Sequence, residues 1–341
     1  MDGTYAIPSP AFTTRPPVVR NAGLIPADIR AAMHPALGTR AHGPGSVTMH
    51  DLRDVYVIGE GLVFDRNLQL APPSVTQHSP AEIEGARMRL GAALAAGPIE
   101  QHAGRTVLCI KRGASNYGHW LAEMLPVAAL CLPAIQAGAC RALFPDGPLG
   151  RVPADSLAML GVPHAQLLPH DGTPQSFARL TVAEGLTWHG HHLSPLVIGA
   201  LDRMAAGVPA GLAAKVWVSR AKLARTLWRE ADLEAMLSAQ GWTVAQPGGM
   251  ALRDQIALFK GARHIAGVTG AGLTNLVFAS PPARVTAFMP AGMPDTFYWL
   301  LSELRGHDYT EVRCVQGGTP TGPAPWDVAL VEHLPSILSH L

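Results

Sequence analysis

Between Lys215 and Pro290 short apolar runs alternate with segments of helical spacing, and no other feature restricts the fold as strongly. Lys215-Val216-Trp217-Val218 reads as a strand ending at Ser219-Arg220. Leu233, Met236 and Leu237 then recur at helical spacing, which predicts a helix from about Glu230 to Gln240 with Gly241 as its stop. Trp242 to Ala245 is the next strand, Leu252, Ile256 and Phe259 mark one face of another helix, and His264 to Val268 and Arg284 to Met289 supply two more strands. Strand and helix in strict alternation describe one doubly wound α/β half, with ligands expected at the carboxyl ends of its strands.

At the centre of this stretch lies Thr269-Gly270-Ala271-Gly272-Leu273-Thr274-Asn275. Gly270 and Gly272 leave room beside the backbone, and Leu273 to Ala279 is expected to be a helix whose first amides point into that room. Unpaired amides and the positive end of the helix dipole attract phosphate. Ser219-Arg220 ends a strand of the same half and so should lie on the same edge, where a guanidinium fork fits a diphosphate and Lys222 and Arg225 add charge. The plain alternative is that the glycines serve close helix packing and that Arg220 pairs with a surface carboxylate.

With 341 residues the chain exceeds what one core usually serves, so two domains are expected. Lys plus Arg number 26 against 25 Asp plus Glu, with no run of like charge, which argues against nucleic-acid binding and against a polybasic membrane patch. The four cysteines are scattered without a C-x-x-C pair and read as buried thiols of a reducing compartment. The first residues carry no basic and apolar leader, and no apolar run reaches a membrane-spanning length, so a cytoplasmic protein without a transmembrane segment is expected.

The chain up to about Pro44 is proline-rich and without sustained period, and reads as an extended surface arm. Val55 to Ile58 and Leu62 to Phe64 flank Gly59-Glu60-Gly61 as a hairpin, Glu82 to Ala96 is a helix, and Thr106 to Ile110, Arg141 to Phe144 and Phe177 to Val182 are strands. Ser156 to Leu160 is expected to be a short helix, Pro195 to Pro209 a joining helix, and Ala329 to Leu338 a tail helix after a Gly/Pro/Thr loop.

After the first of these strands comes Lys111-Arg112-Gly113-Ala114-Ser115-Asn116-Tyr117-Gly118-His119-Trp120-Leu121-Ala122-Glu123-Met124-Leu125-Pro126. Asn116 is placed to cap a helix with Trp120, Leu121, Met124 and Leu125 as its buried stripe. His119 and Glu123 stand four apart on another face, as a structural pair or as a base and its orienting partner. Pro126 withholds its amide from Ala122, so the helix should bend or end there. Lys111 and Arg112 are candidates for an anionic substrate or for solvated charge. Trp188-His189-Gly190-His191-His192 brings imidazoles together, but with no neighbouring carboxylate or cysteine a surface loop explains it as well as a metal site. No Asp-x-Asp occurs, so leaving-group charge falls to Arg220 and the Gly270 turn.

Asn116 to Pro126, then Val218-Ser219-Arg220, then Leu258 to Arg263 leading into Gly270 to Asn275 together resemble glycosyltransferase family 61. That family includes bacterial capsular-polysaccharide proteins, plant xylosyl- and arabinosyltransferases and eukaryotic O-linked N-acetylglucosaminyltransferases. The resemblance spans about Arg105 to Asp308 and implies a GT-B fold, two Rossmann-like domains facing each other across a cleft. It implies inverting transfer of a hexosyl or pentosyl group from a nucleotide sugar, commonly a UDP-sugar, without an obligatory metal or other cofactor. Donor binding carries over to Ser219, Arg220, Thr269, Gly270, Ala271, Gly272, Leu273, Thr274 and Asn275. The acceptor side carries over to Asn116, His119 and Glu123, with Arg112 beside them. Thr269 stands where the family usually has His, and a hydroxyl brings neither charge nor titration.

The expected organisation is an arm at 1–44, an acceptor-side domain at 45–200, a nucleotide-sugar domain at 201–316 and a tail at 317–341. The expected activity is a glycosyltransferase of bacterial capsule or surface-glycan synthesis, cytoplasmic, with peripheral attachment at the inner membrane face as the alternative. Glu123 is the first choice of base. A glycosyltransferase-like binding protein that has lost catalysis is the rival, consistent with Thr269. An epimerase or dehydrogenase is disfavoured, because neither half opens with G-x-G-x-x-G and an acidic residue some twenty positions on.

Overall fold

The computed structural model describes the chain except Met1, Asp2, Lys222, Thr321 and Pro323. It is mixed α/β and divides into two compact units. The first comprises the chain up to Pro10, Pro44–Thr187 and Gly199–Ala206, and the second comprises Ala11–Gly43, Trp188–Ile198 and Gly207–Leu341.

The first unit is built on β1 (Thr4–Ser9), β2 (Gly45–Ile58), β3 (Leu62–Asp65), β4 (Gln101–Leu108), β5 (Cys140–Pro145), β6 (Leu167–His170) and β7 (Gln175–Glu184). The sheet runs β1-β2-β7-β4-β5-β6, with β3 pairing β2. β7, β4, β5 and β6 are parallel, and β2 is antiparallel to β1, β3 and β7. From β4 the chain winds outward through β5 and β6, then returns to the other side of β4 as β7. The β4/β7 boundary is therefore a point where the winding reverses, the place at which open parallel sheets leave a crevice.

In the second unit β8 (Lys215–Val218), β9 (Thr243–Ala245), β10 (His264–Val268), β11 (Arg284–Pro290), β12 (Asp308–Gly317) and β13 (Ala329–Val331) lie in the order β9-β8-β10-β11-β12-β13. All but β13 are parallel. The same reversal occurs between β8 and β10, which β9 separates in sequence but not in space. Helices Glu230–Ala239 and Leu252–Gly261 make the crossovers. Trp217, Leu233, Leu237, Val268 and Phe288 form one buried cluster, with Trp217 and Phe288 tilted at 5.7 Å between ring centroids. All four cysteines are free and buried, as their scatter implies.

Two elements differ from expectation. The first forty-three residues are no featureless arm: β1 pairs with β2, Val18–Arg20 pairs in parallel with β12, and Ala27–Gly38 is a helix. Their prolines mislead because Pro8 lies on an edge strand, where a missing amide goes unmissed, and Pro26 sits just ahead of the helix. The predicted tail helix splits into β13 and a helix at Leu334–His340. β-Sheet pairing captures Ala329–Val331 because β12 offers it an open edge, as at Val315 opposite Val331. Among the described residues no helix is long and apolar enough to cross a membrane.

One buried and one half-buried imidazole give the second unit an acid-sensitive interior. His307 accepts the Ala283 amide at Nδ1 (3.2 Å) and reaches Leu276 O through Nε2 at 3.1 Å, and burial holds it down to about 4. Burial, then Arg284, also holds His264 to about 4. The unfolded chain takes up a proton near 6.5 while the folded chain resists until about 4, so stability falls as pH drops through that window and is intact above it. At about 1.4 kcal/mol per pH unit, His307 alone should account for roughly 3 kcal/mol. Urea unfolding at pH 7 and pH 4.5 should show this loss in the native chain and a smaller one in His307→Gln. An equal loss in both would remove His307 as the cause.

Candidate functional site

Each unit gathers its sequence-predicted polar residues at its winding reversal. In the second unit β8 ends at Val218 and delivers Ser219 and Arg220, while β10 ends at Val268 and delivers Thr269 and Gly270. Arg220 is held by two bonds, and a third fixes the carboxylate that holds it. Its amide donates to Glu230 Oε1 at 2.8 Å, Glu230 Oε2 also receives the Leu227 amide at 3.3 Å, and Arg220 Nε donates to Arg225 O at 2.7 Å. The guanidinium then lies directly over Gly270, where an added Cβ would fall onto Nη1. Gly270 has φ 168°, an extended backbone open to any residue, so the requirement for glycine is one of space. The room that the sequence assigns to a ligand is taken up by Arg220 itself.

A second guanidinium stands beside the first. Arg225 pairs with Asp327 at 3.1 Å and donates to Met293 Sδ at 3.2 Å, whereas Arg220 makes no ion pair among the described residues. Burial, then the neighbouring Arg225, pulls the Arg220 guanidinium below its ordinary value, against the opposing pull of Tyr298, Glu230 and Asp327. Tyr298 is buried against the Gly270 backbone, and burial followed by Asp295 raises its phenol, so it stays neutral. Arg313, fully buried and bonded to Glu311, fixes the turn that carries Met293 by donating to Pro290 O at 3.1 Å and Met293 O at 2.6 Å.

The rest of the Gly-rich turn is closely packed. Gly272 packs close, since a Cβ there would meet Val218 and Pro247 at 3.3 Å. The helix that follows is a 3₁₀ helix, Ala271–Phe278, starting earlier than expected. Asn275 explains the tightening: its Nδ2 donates to Gly272 O three residues back and to Gln255 Oε1, both at 3.0 Å. Ser219, Thr269, Leu273, Thr274 and Asn275 are buried. Ser219 Oγ receives the Ala221 amide, the Thr269 hydroxyl faces Met293 Sδ at 3.9 Å, and Thr274 Oγ1 meets no partner among the described residues. Among the predicted donor residues Gly270 is buried as well, and Arg220, Ala271 and Gly272 alone keep partial exposure. Lys222 lies outside the described residues.

In the first unit Asn116 caps its helix as expected, its Oδ1 receiving the amides of Gly118 (2.8 Å) and His119 (3.4 Å). The helix neither ends nor breaks at Pro126. Residues Trp120–Met124 form a wide π turn in which the Leu125 amide reaches Trp120 O, and α-helix resumes at Leu125–Leu130. The wider turn accommodates a ring that has no amide to offer, and such turns recur at functional positions. Trp120 Nε1 anchors it to Ser156 Oγ at 2.8 Å.

The turn carries Glu123 inward. Rather than lying on a polar outer face, Glu123 is 3 % exposed, with Oε1 2.8 Å from His119 Nδ1 and Oε2 on Lys111 Nζ, and Thr187 Oγ1 at 3.5 Å. Lys111 is buried too, and its ammonium is the counter-ion of Glu123 and not a solvated charge. His119 keeps 18 % of its side chain exposed, its ring packed over Gly113, whose φ of 88° and added Cβ at 3.0 Å from Cδ2 both demand glycine. Arg112 turns to Glu82 at 2.8 Å, and Glu82, held to about 2 by the Ser79 amide and then by Arg112, completes the capping box of helix Pro80–Ala96. Three imidazoles of the histidine-rich loop go to separate partners. His189 stacks on Phe297, His191 on Trp188, and His192 lies against Phe12 and His42, so they do not assemble a ligand set with one another.

Arg225, Glu230, Tyr298, Asp327, Thr187 and Arg313 shape these two places, and only Arg225 carried a signal in the sequence. One α/β unit thus carries paired guanidiniums at its strand ends, and the other a partly exposed imidazole on a buried carboxylate. Residues 117–286 match the family described as glycosyltransferase 61, a span that opens beside His119 and closes in β11. No curated protein matches the chain. The chain belongs to glycosyltransferase family 61 and is a glycosyltransferase.

Proposed function

We propose that the chain is an inverting, metal-independent transferase of the GT-B type that moves a sugar from a nucleotide-sugar donor, of the UDP kind, to a hydroxyl of a growing glycan. The observation that carries this is the Arg220 guanidinium lodged on Gly270 at the β8/β10 reversal, with Arg225 beside it. The donor diphosphate lies against Arg220 and the backbone at Ala271 and Gly272, where two guanidiniums serve the charge that a divalent cation serves elsewhere. The acceptor hydroxyl gives its proton to Nε2 of His119, and Glu123, already bonded to Nδ1, stabilises the imidazolium. The acceptor oxygen forms a bond to the anomeric carbon as the bond to the diphosphate oxygen breaks, inverting that centre and leaving a nucleoside diphosphate on the arginines. Glu123 thus acts through His119 as a positioning residue, because it is enclosed and already engaged on both oxygens. The place of the reaction is cytoplasmic assembly of a bacterial capsule or surface glycan.

A catalytically impaired binding protein is the second reading, and Thr269 favours it: the side chain at the position of the family His is buried against Met293. Calorimetry with UDP and several UDP-sugars, in EDTA and then in Mg²⁺, followed by donor-hydrolysis assays, separates these readings. UDP binding unchanged by EDTA, together with donor turnover, is the expected result. Binding without turnover supports the impaired protein, and binding only in Mg²⁺ ends the metal-independent reading.

A further inference from the structure

The first unit has an open concavity of about 190 Å³ at the carboxyl ends of three adjacent parallel strands. Ile110 follows β4, Pro145 ends β5 and His170 ends β6, and the β2/β3 turn at Gly59-Glu60 closes the opposite side. Its rim is preformed by hydrogen bonds: Gly59 N to Gly172 O at 3.0 Å, His170 Nε2 to Gly59 O at 3.0 Å, and Asp146 N to His170 O at 2.9 Å. The concavity shares a wall with the turn that leads to His119. Ala114 and Ser115 line it, and Glu60 Oε2 receives the amide of Gly113, the residue beneath the His119 ring.

Its polarity is one-sided. Glu60, Asp146 and Asp171 line it, and among the described residues no Lys or Arg does. Asp171 receives the Thr173 amide and hydroxyl at 2.9 and 2.6 Å, and those bonds lower its carboxyl, keeping it ionised. Ionised carboxylates accept hydrogen bonds and offer none, so they suit a ligand rich in hydroxyl donors and repel one carrying phosphate or carboxylate. The volume is below the roughly 300–1,000 Å³ of pockets that enclose a drug-sized ligand, which suits a single sugar ring.

We propose that this concavity is the acceptor subsite and that it takes one uncharged sugar residue, with Asp146 and Asp171 receiving its hydroxyls and Ser115 at the edge nearest His119. The proposal rests on the glycosyltransferase reading above and adds the charge class of the acceptor: a neutral glycan end, not a phosphorylated or uronic one. The opposite charge of the Arg220–Arg225 pair then sorts the two substrates, since a diphosphate is refused here and drawn there.

Saturation-transfer NMR on the full chain tests it with methyl β-D-galactopyranoside, methyl α-D-glucopyranoside and methyl β-D-xylopyranoside, against glucuronate and glucose 1-phosphate. With saturating UDP present to occupy the arginines, at least one neutral glycoside should receive saturation and neither anion should. Asp171→Asn and Asp146→Asn should each weaken that glycoside by about tenfold, the size of one hydrogen bond to a charged acceptor, and Ser115→Trp should abolish the signal by filling the space. UDP titration of the same variants should match the native chain, which also shows that they are folded. Silence from every neutral glycoside, saturation of the anions, or signals unmoved by all three substitutions would overturn the proposal. Because UDP is titrated in parallel, glycoside binding without UDP binding would sink the donor assignment alone, and the reverse would sink the acceptor pocket alone.

Discussion

His119→Ala is expected to lower turnover by about 10²–10⁴-fold, the usual contribution of a positioned general base, with UDP affinity unchanged. The imidazole has one nitrogen on Glu123 and a partly exposed edge, the arrangement needed to accept a proton and hold it. Glu123→Gln keeps the shape but removes the negative charge that faces both the imidazolium and Lys111. It should cut turnover as well, and it should also cost roughly 3–5 kcal/mol of stability because the buried Lys111 ammonium loses its counter-ion. Adding Lys111→Met to Glu123→Gln should restore much of the stability and none of the turnover, since the charge at His119 is still missing. The discriminating measurement is kcat of each variant beside its urea midpoint. Were Glu123→Gln far more damaging to kcat than His119→Ala, Glu123 would return as the base.

The second large effect concerns the donor. Arg220→Ala should weaken UDP binding by roughly 2–5 kcal/mol, the range for truncating one member of a buried charged contact. Arg220→Lys should rescue little of it, because a single ammonium cannot present the two-pronged edge that fits a diphosphate. Gly270→Ala is the sharper probe. Its backbone is extended, so alanine brings no backbone strain, yet its methyl occupies the place of Nη1. In the native background it should displace the guanidinium and weaken UDP nearly as much as Arg220→Ala does. In the Arg220→Ala background the guanidinium that the methyl would strike is gone, and the same substitution should cost far less. Calorimetry across this cycle reads the coupling directly. A penalty for Gly270→Ala that is the same with and without Arg220 would show that the turn, and not the guanidinium above it, is what receives the ligand.

Strands β8 to β11 of the second unit, the cap at Asn116 and the burial of the cysteines were legible because their causes lie within a few residues: apolar runs bounded by glycine, an amide side chain ahead of a helix, thiols without spacing partners. The meeting of Arg220 with Gly270 was legible for a topological reason, since any two strands on either side of a winding reversal deliver their next residues to one edge. Other features were decided across the chain. Pro126 alone calls for a bend or an end, and a π turn held by Trp120 on Ser156 carries the helix through it and turns Glu123 into the interior. Lys111 looks like a surface cation until that buried carboxylate is beside it. Arg225 meets Asp327 and Met293 only after β12 and β13 have folded back along the sheet. Local sequence determined which segments became strands and helices, because backbone preference and periodicity act over one or two turns. Which polar groups became charged, buried or free to act was left to the tertiary structure, because desolvation and ion pairing depend on neighbours that sequence distance does not reveal.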